Sequence, residues 1–169
     1  SSTFSRLSSL SHISSMLAEL EEKVARMAIA VPGLAGMINI VSGERPTTCL
    51  SEASPLLDEP KISCPACSKR KPWELYETVA KTFVRGLRRG NPQARLITWF
   101  YHPHPSAKRG KWVYECARHV PEGAEIQYNF ESGAEREQLG KTRCGGDYWL
   151  SVPGPSAPFP TMAETARGS

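Results

Sequence analysis

The sequence predicts an α+β chain, mostly β, and three observations carry that prediction. Two segments repeat apolar residues at helical spacing, and three segments after Arg95 are rich in aromatic and β-branched residues between turn-forming clusters. Fourteen prolines and thirteen glycines in 169 residues spread turns along the whole chain. This length suits one domain with its own core better than two. The expected division is a disordered or processed segment over residues 1–14, a single domain over 15–152 and a proline-rich tail over 153–169.

The elements follow in order. Ser14 or Ser15 can cap an amphipathic helix over Ser15–Ile29, in which Met16, Leu17, Leu20, Val24 and Met27 share a face. Glu19 with Lys23 and Glu22 with Arg26 stand at i,i+4 spacing along it. Pro32-Gly33 stops that helix, and Leu34–Val41 reads as a buried strand ending at Ser42-Gly43. Ser51–Pro60 is a surface loop. Pro72 opens a second helix, because its missing N–H costs nothing at a first helical position, and Gly90 followed by Pro92 closes it. Leu96–Tyr101, Lys111–Ala117 and Ala124–Phe130 then read as three successive strands, with His102-Pro103-His104-Pro105 as a rigid hairpin connection between the first two.

Composition narrows the function classes. The chain is 40% hydrophobic and 22% charged, with a formal net charge of +4. Such a balance allows acidic partners without naming one. The longest apolar run, Met27–Val41, is broken by Pro32, Gly33 and Gly36 and is too short for a bilayer, so no membrane span is expected. Serine-rich residues 1–15, with Arg6 and no acid, have the look of an organellar transit segment. Five cysteines without a secretory signal point to free thiols or a metal in a reducing compartment, and so to an intracellular location, nuclear, cytoplasmic or organellar.

Cys64-Pro65-Ala66-Cys67 has the knuckle spacing at which two thiolates converge on one zinc ion, with two reduced cysteines in a turn as the plainer alternative. Further ligands would come from among Cys49, His102, His104, Cys116 and Cys144. Arg85, Arg88, Arg89 and Arg95, with Lys108, Arg109 and Lys111 and the aromatic Trp99, Tyr101 and Trp112, offer a basic surface for nucleic acid; a solvated helix end is the bland counterpart. No hydrolase triad and no phosphate-cradling loop is present.

Four segments in order resemble the SET domain of protein lysine methyltransferases, in its zinc-finger-containing type. Gly33-Leu34-Ala35-Gly36 with Ile40-Val41-Ser42-Gly43-Glu44 is similar to the family's opening motif, and Ser51–Leu57 to its Glu-x-Pro-Leu-Leu segment. Phe100–Ala107 stands where the family has Asn-His-Ser-Cys-x-Pro-Asn-Ala. Arg118–Phe130, then Arg136, Leu139 and Cys144, is similar to the Gly-Glu-Glu strand, trailing helix and post-SET cysteine. The resemblance implies a SET-like β-clip fold and transfer of a methyl group from S-adenosylmethionine to a lysine on a histone or other protein. Gly33, Leu34, Tyr101 and His102 would then line the cofactor, Tyr128 and Phe130 the lysine channel, and Cys144 would be a metal ligand alongside Cys64 and Cys67. Phe130 stands where the family has its reactive tyrosine, and Tyr101 where it has asparagine. Those departures imply a weakened enzyme or an inactive SET-like binding or structural subunit. A basic component of an organellar or viral assembly is a reading independent of the family.

Overall fold

The computed structural model describes residues 2–42, 48–52, 62–101, 111–129, 135–144 and 158–168. Helix α1 spans Ser2–Ala30, and strand β1, Gly36–Ser42, follows it. A 3₁₀ turn, Cys49–Glu52, precedes α2, Pro72–Gly90. Then come β2, Arg95–Phe100; α3, Lys111–Arg118; and β3, Ala124–Tyr128. The chain ends in β4, Glu135–Gln138, β5, Lys141–Cys144, and α4, Pro158–Arg167. The class is α+β as expected, but helices outweigh strands.

Strands β1, β2 and β3 form one parallel sheet in that order, with Ile38 opposite Ile97 and Phe100 opposite Tyr128. Parallel neighbours require a crossover of a dozen or more residues, which is usually a helix. Here α2 carries the chain from β1 to β2, and α3 carries it from β2 to β3. This corrects the expectation of a strand at Lys111–Ala117. The aromatic and β-branched content of that segment suggested a period of two, yet its buried residues are Trp112, Val113, Cys116 and Ala117, one stripe of a helix. Tertiary packing decides the conformation over local preference. The hairpin expected at 102–105 falls outside the described residues, and the segment leads into a helix.

Alternation along the strands divides the sheet into two faces. Leu96, Thr98 and Phe100 of β2 are buried, and they join Val41 and Tyr128 against Tyr76, Val84 and Leu87 of α2 and Trp112 and Val113 of α3. The opposite face carries Ile38, 56% exposed, and Ile40, 40% exposed, beside the half-buried Ile97 and Trp99. Within the covered face, the Tyr76 hydroxyl lies 2.9 Å from Thr98 Oγ1, which itself donates to the Glu125 carbonyl at 2.9 Å. The Tyr76 hydroxyl is therefore the donor in the first of these bonds.

Helix α1 packs along α2. Gly86 and Gly90, one turn apart, let the two backbones meet: a Cβ on Gly86 would sit 2.8 Å from the Glu21 carbonyl oxygen, and one on Gly90 2.4 Å from the Ala28 carbonyl carbon. Arg85 reaches Glu21 at 2.7 Å and Arg89 reaches Glu22 at 2.8 Å across the same seam. The predicted Ser15–Ile29 helix is thus the C-terminal half of α1, which begins at Ser2.

Two further expectations are revised. A trailing helix was expected around Arg136 and Leu139, but Glu135–Cys144 is a two-stranded hairpin. Leu139 and Gly140 both take positive φ, 52° and 71°, the backbone of a two-residue turn that matches strand twist. The tail expected to be poorly ordered contains α4, whose Met162 is buried in the main core. Proline at the first position of α4 is compatible with a helix start, so the prolines of this tail do not preclude a helix. No helix among the described residues is long and apolar enough to cross a membrane.

Candidate metal centre

The connection from β1 to α2 brings three cysteines together. Cys49 opens the 3₁₀ turn just beyond β1, fixed by the burial of its neighbour Leu50 and by the Leu50 N–H donating to Thr48 Oγ1 at 3.2 Å. Cys64 and Cys67 close a tight turn: the N–H groups of Cys67 and Ser68 both donate to the Cys64 carbonyl, at 3.1 and 2.8 Å. The Arg70 N–H then donates to the Cys67 carbonyl at 2.9 Å, carrying the chain towards α2. Glu74 accepts the Lys71 N–H at 2.8 Å, and Arg70 holds Thr78 Oγ1 at 2.7 Å, so the turn is tied to the first two turns of α2.

The Sγ atoms of Cys49, Cys64 and Cys67 all lie within 4.8 Å of one another. None of the three is in a disulfide. Zinc–sulfur bonds of about 2.3 Å place tetrahedral thiolates about 3.8 Å apart, so modest side-chain rotation closes this trio around an ion. The residues sit in a small apolar cluster of their own, with Ile62 and Leu75 buried beside Cys67, and Ile13 of α1 packed against it. That shell shields the sulfurs on one side.

The protein already favours a thiolate at one of the three. The backbone N–H of Cys67, then that of Ala66, donates to the Cys64 sulfur and holds its pKa below the ordinary thiol value. Burial has the opposite effect on Cys67, whose thiol is pushed up to about 12, with the Cys49 sulfur adding to the rise. Three thiols so close cannot all ionise unless a cation compensates them.

Of the other candidates, Cys116 lies in the main core with its thiol raised by burial, and the Cys144 side chain lies outside the described residues. The residues expected to hold S-adenosylmethionine are split. Gly33, at φ 84°, and Leu34 lie before β1 at the amino edge of the sheet, where Asn91 Nδ2 donates to the Leu34 carbonyl at 3.0 Å. Tyr101 and Tyr128 lie at the carboxyl edge, about 20 Å away at roughly 3.3 Å per strand residue. There the Asn129 amide donates to the Tyr101 carbonyl at 3.1 Å and accepts from Trp99 Nε1 at 2.8 Å. His102 and Phe130 fall outside the described residues. Of the basic surface, Arg85, Arg88, Arg89 and Arg95 pair with Glu21, Glu122, Glu22 and Glu125, while Lys108 and Arg109 lie outside the described residues.

The Cys64–Cys67 half of the site is legible from its spacing. Cys49 is one of five candidate further ligands, and spacing does not single it out, because fourteen residues lie between it and Cys64 and its approach depends on the strand-to-turn geometry. Comparison with family models, curated proteins and solved structures gives no match.

Proposed function

We propose that this chain is a zinc-holding α+β domain in which Cys49, Cys64 and Cys67 bind one ion that braces the β1-to-α2 connection. The convergence of three sulfurs within 4.8 Å carries this reading. Thiolates select zinc over hard cations, and a fourth position is left to solvent or to a side chain outside the described residues. The ion replaces three mutually repelling or protonated thiols by one neutralised cluster. Its binding energy becomes folding energy for a connection whose described residues form the 3₁₀ turn Cys49–Glu52 and the tight turn at Cys64–Cys67. The position matters because parallel sheets place their ligand sites at the carboxyl ends of the strands, and this connection leaves the carboxyl end of β1. Metal analysis of the purified chain tests the reading: one zinc per chain is expected, and Cys49→Ser should abolish stoichiometric retention. A metal-free chain that takes up no added zinc sinks it.

S-adenosylmethionine-dependent lysine methyl transfer of the SET type is the second reading. The four-segment resemblance supports it, together with the adjacency of Tyr101 and Tyr128 at the carboxyl edge of the sheet. Calorimetric titration with S-adenosylmethionine tests it, and the absence of heat and of a thermal shift at millimolar ligand ends it. Binding without methyl transfer to a histone mixture would identify the inactive-subunit form instead.

A further inference from the structure

We propose that the same three thiols make the metal peroxide-releasable, oxidation joining Cys64 to Cys67 in a disulfide and setting the ion free. The inference rests on the zinc reading above. Cys64 and Cys67 are the two ends of one turn closed by the Cys67 N–H to Cys64 carbonyl bond. A four-residue turn holds its end Cα atoms within about 7 Å, and disulfides span Cα separations of about 4.4–6.8 Å. With the sulfurs already within 4.8 Å, side-chain rotation brings them to bonding distance without unfolding the turn. Cys49 stands on a different element and is left over. Cys64 is only half-buried and open to a small oxidant, whereas Cys67 is buried against Ile62 and Leu75 and meets Cys64 from within.

The chemistry balances with a hydroperoxide as oxidant. The Cys64 sulfur attacks one peroxide oxygen, the O–O bond breaks, and the leaving hydroxide takes a proton to become water, which leaves a sulfenic acid on Cys64. The Cys67 sulfur then attacks the Cys64 sulfur, the S–O bond breaks, and the departing hydroxyl leaves as a second water with the Cys67 proton or one from solvent. From the zinc form, two thiolates, one hydrogen peroxide and two protons yield one disulfide, two waters and the freed ion. One remaining thiolate, Cys49, does not hold zinc, so the brace between the 3₁₀ turn and the start of α2 is lost. Reduction by a dithiol restores both thiolates and the site.

The test uses the full chain loaded with zinc, hydrogen peroxide as titrant and a chromogenic chelator to report release. One zinc per chain should appear as two thiols per chain disappear. Peptide mapping should find Cys64 bonded to Cys67, with Cys116, fully buried, still reduced. Cys49→Ser should still form the disulfide, a readout independent of metal. A chain that carries no zinc before oxidant is added removes the metal reading, and this proposal with it. A chain that carries zinc and keeps it in excess peroxide overturns the proposal alone, and so does release with Cys49 in the mapped disulfide.

Discussion

At the scale of single residues, two buried hydroxyls show how tightly one side chain can be committed. Thr98 of β2 is fully buried, accepts from Tyr76 and donates to the Glu125 carbonyl, so it links α2 to β2 and β3. Thr98→Val keeps the shape and strands the Tyr76 hydroxyl, whose partner is gone. A loss of about 1–3 kcal/mol is expected in denaturant melts, the desolvation cost of one buried unsatisfied donor. Tyr76→Phe in the same background should recover part of it. The thiols give a second residue-level prediction. The Cys67 thiol is raised to about 12, above its unfolded value near 9, so the folded metal-free chain keeps a proton that the unfolded chain sheds between those limits. Stability of the metal-free form should therefore be full below about pH 9 and fall as pH rises towards 12, with Cys67→Ala flattening the decline in thermal melts. Zinc reverses the dependence: protons compete for the thiolates, so apparent affinity should rise with pH through the neutral range in a competitive chelator titration.

Among the elements, the α1–α2 seam depends on two absent side chains. Gly86→Leu would drive a branched group into the Glu21 carbonyl and Val24, which lie under 3 Å from even a Cβ. The helices must part. The variant should lose more than about 3 kcal/mol, at the severe end for overpacking, and α1 amides should lose hydrogen-exchange protection before those of the sheet. Elements differ in how readable they were for a physical reason. Helix α2 was evident because its cap, period and stop all agree, from Pro72 and Glu74 through Leu87 to Gly90. Helix α3 was read as a strand because Trp112, Val113 and Tyr114 prefer extended backbone. The parallel arrangement of β2 and β3, which demands a crossover, involves pairing that no local pattern encodes. Helix α4 was hidden by prolines that suit its first turn. For the site, the Cys64–Cys67 turn is local and was visible, whereas the placement of Cys49 is a tertiary outcome. The separation of Gly33 and Leu34 from Tyr101 and Tyr128 is likewise tertiary: motif order along the chain says nothing about which edge of a sheet each motif reaches.

For the whole molecule, one main core among the described residues joins α1, α2, α3 and α4 to the parallel sheet, while the thiol cluster lies in a satellite around the buried Ile62, Cys67 and Leu75. Zinc removal should accordingly loosen residues 49–71 first. Limited proteolysis in a chelator should nick that connection while the β2 and β3 peptides remain protected, and added zinc should restore resistance. Among the described residues β1 and β3 are the outer strands of the sheet, and the face opposite the helices carries an apolar strip of Ile38, Ile40, Ile97 and Trp99. An exposed apolar strip of this kind on a sheet face favours association between copies of the chain. In colloidal terms, the chain should be stickier than its +4 charge suggests, with light scattering growing steeply with concentration. Ile40→Lys, which puts a charge on a site already 40% open to water, should suppress that scattering while leaving the melting temperature nearly unchanged.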